Sequence, residues 1–565
     1  MVETPTRKPL IGSSLPKVDG VEKVTGHALF GADQRLPGML QGAILRSPHP
    51  HANILSIDTS AAEALPGVHA VITADDFPKL ELGTMVRFGA MSMDYSRMSR
   101  MIMAREKALF AGHPVAAVAA TSRAVARQAL DLIDVQYEVL PHVMDEVEAM
   151  AADAPLLHDD LFTSGLGEQP AKPSNVSLEL EMGHGDVTAG EAAADEIVER
   201  SFKTEAVHQG YIEPEAETAW WRADGRITAW VDTQGIFSQR AQLAVFLGTP
   251  AGSIEVVPME VGGAFGAKNT MRISPLCAGL SRKAGRPVQI VLSRDEVLRA
   301  TGPGVKTTTA VRIGARKDGT ITLIDARMVY NAGAFPGSPL SGGAMVGLGP
   351  YQTESLRLIG YDVVTNRPKG AAYRAPGGTP FTYGIESVID ELADKLGIDR
   401  LEFRKKNASK TGDPMPNGVI FNRIGLEDVL ERVGGSSAWN DPLAEPVSGG
   451  KVGRGLALGF WRGGAGTSSC VLEVQMDGSI AVVTGSVDLH MSRTAMTSIV
   501  ADEFQLPPEL VRVQTGTTDT VGYTDNSGGS RVTRTTGAAV YNACQAALAI
   551  LRERAADALD VTEDV

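Results

Sequence analysis

Alternation between apolar and polar positions divides the chain into short strands and amphipathic helices. Residues 115–120 form an unbroken apolar run, which is typical of a buried strand. Ser122 follows as an expected N-cap of a helix, and residues 135–139 then alternate between apolar and polar as a half-buried strand does. This strand–helix–strand order predicts an α+β fold for the first part of the chain.

The middle of the chain continues this pattern around a glycine-rich segment, residues 261–269. The predicted strands there are 197–202, 219–221, 227–231, 254–258 and 287–292, and the predicted helices are 237–247 and about 271–284. The segment therefore falls between a strand end and a helix N-terminus, where the helix dipole favours electron-rich groups. Its glycines allow close backbone approach to a ligand, although a tight structural turn is an equal alternative for this stretch alone. It is not a nucleotide P-loop, because Lys268 is not followed by Ser or Thr.

Two further loops carry polar residues in a glycine-rich setting. Arg374 lies in a Pro/Gly loop before a helix predicted to end at Leu396, as either a substrate clamp or an ordinary surface arginine. Residues 525–531 form a Gly/Ser-rich loop ahead of a helix predicted over 537–559. Two such loops favour a large anionic cofactor held from both sides over two unrelated turns.

Two proline-rich stretches indicate where domains end. Residues 146–180 are loop-rich and acidic, and residues 414–418 form a second break. A chain of 565 residues is also too long for one hydrophobic core. We therefore predict three domains, which span residues 1–145, 146–412 and 413–565.

One carboxylate in the middle region allows two interpretations. Glu213 stands between predicted strands, directly before Pro214. It is either a buried functional carboxylate or the salt-bridged end of a strand, and the sequence favours neither.

Composition narrows the class of protein. Lys and Arg number 53 against 67 Asp and Glu, and the net charge of −14 argues against nucleic-acid binding. No apolar run reaches membrane-spanning length, and no secretory signal pattern is visible, so we expect a cytoplasmic protein. Cys277, Cys470 and Cys544 are too far apart in sequence to form metal-binding pairs, so any iron–sulfur cluster belongs on another chain.

Taken together, these motifs resemble the molybdenum-cofactor subunit of the xanthine dehydrogenase/aldehyde oxidase family, the molybdenum hydroxylases. Each motif is weak alone, but their order and spacing along essentially the whole chain are specific. The matching stretches are 23–26, 47–52, 233–234, 262–268, 372–377 and 528–531. The resemblance implies an α+β fold in which a hammerhead-like domain precedes two molybdenum-cofactor-binding α+β domains.

The resemblance also assigns roles to individual residues. Gln234 would hydrogen-bond an oxo ligand of molybdenum and Arg374 would line the substrate pocket, as the two catalytic residues that this chain supplies. Phe265 and Asn269 would border the substrate as well. The implied cofactor contacts are Gln234, Gly263, Ala264, Phe265, Gly266, Arg374, Gly528, Gly529, Ser530 and Arg531. No protein side chain would ligate the metal, because the dithiolene sulfurs of the pterin hold it.

The implied reaction is hydroxylation of an aldehyde or an N-heteroaromatic compound with water. Molybdopterin, with or without a cytosine dinucleotide extension, would carry the molybdenum and the redox chemistry. Electrons would then pass to [2Fe–2S] clusters and FAD. Because the chain lacks cluster cysteines, these groups would belong to an iron–sulfur subunit and a FAD subunit that are its partners.

The chain departs from the family pattern at several positions. Residues 490–492 read His-Met-Ser where the family carries Gly-Gln-Gly, so a glutamine contact and two close-approach glycines are missing. Asn269 replaces the glutamate of purine-oxidising relatives, and Ala375 replaces the cysteine of the carbon monoxide-oxidising branch. The resemblance therefore implies neither purine nor carbon monoxide as the substrate.

The largest departure concerns the general base. The family's catalytic glutamate lies in a Gly-x-Gly-Glu motif, and no residue of this sequence matches it. We expect a second molybdenum-subunit chain to supply that glutamate. The alternatives are that the sequence is a truncated product, or that the protein is a non-catalytic cofactor-binding or scaffolding subunit. A companion chain that bears the motif would favour the enzyme.

Overall fold

A computed structural model describes residues 9–88, 91–168 and 170–561 of the chain. The strands, in chain order, are β1 Leu40–Arg46, β2 Ala52–Asp58, β3 Val68–Thr73, β4 Met85–Phe88, β5 Met91–Asp94, β6 Lys107–Ala108, β7 Pro114–Ala120, β8 Asp134–Val139, β9 Val176–His184, β10 Glu196–Thr204, β11 Ala216–Trp221, β12 Ile227–Val231, β13 Ile254–Pro258, β14 Val288–Val291, β15 Thr307–Ala315, β16 Ile321–Gly333, β17 Ser355–Val364, β18 Cys470–Val474, β19 Ile480–Thr484 and β20 Val511–Thr515. The helices are α1 Gly20–Val24, α2 Ser60–Glu63, α3 Tyr95–Ile102, α4 Arg123–Leu130, α5 Val187–Ala192, α6 Ile236–Leu247, α7 Ser274–Ala284, α8 Arg294–Ala300, α9 Leu340–Leu348, α10 Gly378–Leu396, α11 Arg400–Asn407, α12 Leu426–Gly434, α13 Ser437–Asn440, α14 Ser492–Glu503 and α15 Val532–Leu559. This mixture of helices and strands confirms the predicted α+β class.

The chain divides into two compact units, each made of segments that are distant in sequence. The first unit contains Met1–Leu140, Gln209–Thr301 and Gly463–Val565, and the second contains Pro141–His208 and Gly302–Arg462. The outer ends of the first and third predicted domains, residues 1–8 and 562–565, lie outside the described residues. The domain spans predicted from the sequence stay a prediction.

A seven-stranded sheet, in the order β13-β12-β11-β14-β1-β7-β3, forms the centre of the first unit. Strand β7 is buried along its whole length, as its apolar run predicts. Ser122 caps α4 as expected, because its hydroxyl accepts a hydrogen bond from the Val125 N–H at 3.2 Å. Strands β12 and β13 are parallel, with Val231 opposite Pro258, so both chains leave the sheet at the same edge. The segments that follow these two strands therefore start side by side.

A smaller sheet of the first unit, β18-β19-β20, is built by the C-terminal segment. Strands β18 and β19 form an antiparallel hairpin, and β20 then adds in parallel. Helices α14 and α15 pack over this sheet, and their shared core consists of Ile480, Val482, Met496, Val500, Ala501, Val511, Val540 and Cys544. This packing holds the N-terminal end of α15, and hence the Gly/Ser-rich loop before it, on a buried support.

The second unit is a five-stranded sheet, β10-β15-β16-β17-β9, packed against α9 and α10. Phe381, Ile385 and Leu392 place the apolar face of α10 in a fully buried core. The helix ends at Leu396 as predicted, and Gly397 caps it with a φ of 67°. Among the described residues, none of the helices combines the length and the apolar character needed to cross a membrane.

Candidate functional site

The glycine-rich segment leaves strand β13 as an irregular loop. Gly263 and Gly266 have φ angles of 102° and 111°, which only glycine adopts readily. A short 3₁₀ turn, Ala267–Asn269, follows, and α7 begins only at Ser274. The helix predicted over about 271–284 is present but begins three residues later, at Ser274, so the loop does not sit directly on its N-terminus.

Gln234 connects this loop to the C-terminal segment. Its side chain is buried, and its Oε1 accepts a hydrogen bond from the Gly266 N–H at 3.0 Å. Its Nε2 donates to the Ser527 carbonyl at 2.7 Å, and the Ser527 N–H donates back to the Gln234 carbonyl at 2.7 Å. Because one end faces a donor and the other an acceptor, the orientation of the carboxamide is determined. The two loops that the sequence singled out thus meet at one glutamine.

Asparagine side chains make a second link between the same loops. The Asn526 Nδ2 donates to the Asn269 Oδ1 at 3.1 Å, and the Asn269 Nδ2 donates to the Gly266 carbonyl at 3.1 Å. Gly235 makes room for this contact, since a Cβ there would lie 1.8 Å from the Asn526 Oδ1. Asn269, which was predicted to border the substrate, is therefore engaged in holding the loops together.

The predicted pterin-binding loop ends in a residue that points inward. Helix α15 begins at Val532, directly after this loop, and not at residue 537 as predicted. The Arg531 guanidinium is buried and donates to the Thr467 carbonyl at 2.5 Å, the Ser468 Oγ at 2.8 Å and the Asp525 carbonyl at 2.8 Å. These contacts favour a loop-supporting role for Arg531, and its role as a cofactor contact stays a prediction.

The glycines before Arg531 behave differently. A Cβ built on Gly528 would meet nothing within 4 Å, and the same is true of Gly529, whose φ is 61°. The backbone here borders open space. These two residues therefore remain the better candidates in this loop for close contact with a ligand.

Residues 490–492, where the sequence departs from the family pattern, lie at the start of helix α14. The Asp488 carboxylate accepts hydrogen bonds from the Ser492 N–H at 2.9 Å and the Arg493 N–H at 3.3 Å. The first turn of α14 is thus already capped by a negative charge, which disfavours a second anion there. The His490 ring lies beside Phe265 instead, with ring centroids 6.1 Å apart.

Arg374 belongs to the second unit. It is exposed, in the loop that precedes α10, and its φ of 23° and the φ of 58° at Ala375 are both positive. Gly377 completes this turn and its carbonyl accepts a hydrogen bond from the Tyr330 hydroxyl at 2.6 Å. Both interpretations of Arg374, as a substrate clamp and as a surface arginine, therefore stay open.

Backbone strain concentrates in the predicted motifs. Within the described residues, eight non-glycine residues have positive φ. Five of these lie in the motifs above, namely Phe265, Arg374, Ala375, Met491 and Ser530. A non-glycine residue in this region costs about 1–3 kcal/mol and persists where its surroundings enforce it, which is common at functional sites.

A buried cluster of charges under the glycine-rich loop was not predicted as a unit. Lys268 Nζ lies 2.6 Å from the Glu213 Oε2 and 2.7 Å from the Asp232 Oδ2. Glu217 lies in the same region, and burial raises the pKa of its carboxyl group well above the ordinary range. For Glu213 both interpretations hold in part, since it is ion-paired and also contacts the loop. The one sequence signal was the alternation of glutamates at 213, 215 and 217 into strand β11.

Models of known families match three segments of this chain. Residues 25–141 match the a/b hammerhead domain of aldehyde oxidase and xanthine dehydrogenase. Residues 168–408 and 435–565 match two molybdopterin cofactor-binding domains. These matches confirm the predicted order of a hammerhead domain followed by two cofactor-binding domains.

Similar proteins point in the same direction. A probable subunit of the xanthine dehydrogenase of Bacillus subtilis (strain 168) is 30% identical over 554 residues, which cover 95% of this chain and 70% of that one. The nicotinate dehydrogenase large molybdopterin subunit of Eubacterium barkeri is 30% identical over 427 residues, or 75% of this chain and 95% of that one.

Among solved structures, an aldehyde oxidoreductase from Desulfovibrio gigas superimposes with a TM-score of 0.84 at 29% identity. The match covers 94% of this chain but only 59% of that chain. With the domain models and the 30% identical relatives, this likeness leads to one conclusion. The chain belongs to the xanthine dehydrogenase/aldehyde oxidase family of molybdenum hydroxylases, as a molybdenum-cofactor-binding large subunit.

Proposed function

We propose that the chain binds molybdopterin between its two glycine-rich loops, as part of an enzyme that hydroxylates an aldehyde or an N-heteroaromatic compound with water. The carrying observation is Gln234, whose carboxamide joins Gly266 of one loop to Ser527 of the other. Two unrelated structural turns would not require a shared buried amide. The cytoplasmic location expected from the sequence is part of this proposal.

The residues of the site fit such a cofactor. Within the described residues, no group of His, Cys, Asp or Glu is placed to hold a metal ion, and the Gln234 carboxamide is the polar side chain where the two loops meet. This donor set suits a cofactor that brings its own metal ligands. Next to Gly528 the loop borders open space, so a bulky group has room to approach. When bound, molybdopterin supplies the metal and the two-electron redox chemistry.

The protein's part is orientation. The Gly266 N–H holds the Gln234 Oε1, so the Nε2 end is the one that donates. A carboxamide has two N–H groups, and one of them reaches the Ser527 carbonyl, which leaves the other for an oxo acceptor. Phe265 is half-buried beside His490 and offers an apolar wall against which a flat substrate can pack. The substrate-contact role of Arg374 stays a prediction.

Partner chains belong to the proposal as well. The described cysteines, Cys277, Cys470 and Cys544, are thiols that are not paired in disulfides, and they form no metal-binding group. We therefore assign [2Fe–2S] clusters and FAD to partner subunits. Because the relatives named above are oxidoreductase subunits, a non-catalytic scaffold is not favoured.

The test is a purification of the tagged chain from its native host with the chains that accompany it. We expect a molybdenum-to-chain ratio near one by elemental mass spectrometry, and dye reduction with at least one aldehyde or N-heteroaromatic compound. A folded complex that holds its partners but contains no molybdenum would refute the proposal. A loaded complex that oxidises only other compound classes would refute the substrate part alone.

A further inference from the structure

Lys268 is a buried cation whose two ends serve different parts of the site. Its side chain is 1% exposed, and its Nζ is paired with Glu213 and Asp232. Its backbone carbonyl accepts hydrogen bonds from the Gln234 N–H at 3.0 Å and from the Thr233 hydroxyl at 3.1 Å. An ammonium group in such a place is tolerated only when it is well paired, so its position is strongly determined.

Glu213 carries this constraint to the start of the glycine-rich loop. The oxygen that meets Lys268, Oε2, also accepts a hydrogen bond from the Gly262 N–H at 2.7 Å. A Cβ on Gly262 would lie 2.6 Å from the Glu213 Cβ, so the approach requires glycine. Through Glu213 the ammonium group therefore holds Gly262, near the start of the loop, while the backbone carbonyl of the same lysine holds Gln234.

Asp232, at the end of a strand of the central sheet, is the second carboxylate that pairs with Lys268. It follows strand β12 directly, two positions before Gln234, and its Oδ2 is the second partner of Lys268. The ring of Tyr211 lies under the ammonium group, 5.2 Å from Nζ to the ring centroid. Burial acts to lower the pKa of Lys268, but the two carboxylates outweigh it and raise that pKa, so the lysine stays charged at neutral pH.

We propose that Lys268 is a positioning residue: its pairing with Glu213 and Asp232 sets the geometry of the Gly262–Gly266 loop and the Gln234 carboxamide relative to the cofactor. This inference rests on the proposed function, because the value of that geometry depends on a bound cofactor. Lys268 itself does not touch the reacting atoms in this role.

The test variant is Lys268→Met, which keeps the length of the side chain and removes the charge. The matched control is Lys306→Met in the second unit, because Lys306 is also shielded and paired with two carboxylates, Asp145 at 2.8 Å and Glu146 at 3.4 Å. Both are made in the full chain and purified with its partners. If Lys268→Met does not fold, the charge-balanced pair Lys268→Met/Asp232→Asn takes its place.

Two measurements do not depend on turnover. Amide hydrogen exchange should speed up roughly tenfold or more in residues 233–236 and 262–269 of Lys268→Met, because local opening there loses its anchor, whereas Lys306→Met leaves these residues unchanged. The Mo(V) electron paramagnetic resonance spectrum of partly reduced, metal-loaded complex should change in Lys268→Met and stay as wild type in Lys306→Met. Where turnover is measured, kcat should fall with little change in KM.

Each outcome decides a different question. Metal-loaded Lys268→Met with wild-type exchange and a wild-type spectrum would overturn the positioning role while leaving the proposed function intact. Wild-type complex without molybdenum would instead remove the proposed function. If the single and the charge-balanced variants both fail to fold, the cluster is required for folding of the core and has no separate role in positioning the loop. That outcome also overturns the inference.

Discussion

Replacing Gln234 with alanine removes the bridge between the two loops. The change deletes one accepted and one donated hydrogen bond, to Gly266 at 3.0 Å and from Nε2 to Ser527 at 2.7 Å. Each bond contributes about 1 kcal/mol net, and a buried partner left without a substitute costs about 1–3 kcal/mol. We therefore expect a loss of about 2–4 kcal/mol in the stability of the first unit, from about 1 kcal/mol for the part-buried Gly266 contact and about 1–3 kcal/mol for the buried Ser527 contact. The fold should survive, because the strands on either side are untouched.

The assay pairs thermal unfolding with molybdenum content and turnover. Gln242→Ala is the matched control, since Gln242 is equally buried in the same unit and also joins two backbone groups, the Met271 N–H at 3.2 Å and the Ser238 carbonyl at 3.2 Å. Both variants should unfold at lower temperature, but only Gln234→Ala should lose turnover or metal. Wild-type stability in Gln234→Ala would refute the bridge, and wild-type turnover in a loaded complex would refute the cofactor contact.

Three further outcomes follow from the geometry. Gly235→Ala places a Cβ 1.8 Å from the Asn526 Oδ1 and should destabilise the chain by about 1–3 kcal/mol in urea unfolding. Gly528→Ala, whose Cβ would meet nothing within 4 Å, should keep wild-type stability and lower only the molybdenum content. Equal unfolding midpoints for the two variants would contradict this prediction. Asp145 is hydrogen-bonded and ion-paired with Lys306, and despite the opposing effect of burial its pKa falls from 3.8 to about 2. The contribution of Asp145 to stability is therefore complete above about pH 4 and disappears as the pH falls towards about 2. The difference in urea midpoint between wild type and Asp145→Asn should shrink over that interval. A constant difference would refute the pairing. Glu215, Asp232 and Arg272 line a small cavity of about 10 Å³. Within the part of the chain that the structure describes, the Glu215 Oε2, the Asp232 Oδ1 and the Arg272 Nε have no hydrogen-bond partner. A high-resolution crystal structure should therefore show one ordered water in this cavity.

Local elements were predictable where a periodic pattern covers the whole element. Strands β12 and β13 have the predicted bounds, because each is a short, mostly apolar segment rich in β-branched residues and bounded by polar or turn residues. Helix α15 starts five residues earlier than predicted, since its first turns are rich in Thr and Arg and carry no apolar stripe. Tertiary support from the small sheet overrides that weak local preference.

The candidate site was harder to predict, because it is defined by contacts between distant residues. Gln234 and Ser527 are 293 positions apart, and no spacing rule in a single sequence relates them. Lys268 was weighed only as a P-loop lysine, and its partners come from two other segments. The inward turn of Arg531 depends in the same way on the carbonyls of Thr467 and Asp525.

The distance between Gln234 and Ser527 also has a consequence for biosynthesis. A ribosome delivers the glycine-rich loop long before it delivers residues 526–531, so the two halves of the site cannot meet until Ser527 has been synthesised. Contacts of such high sequence separation also form slowly, because a long loop must close first. The nascent protein thus passes through a period in which the two loops are apart and the site between them is open. A cofactor held by both loops can only be bound stably after the second loop has emerged from the ribosome and folded against the first.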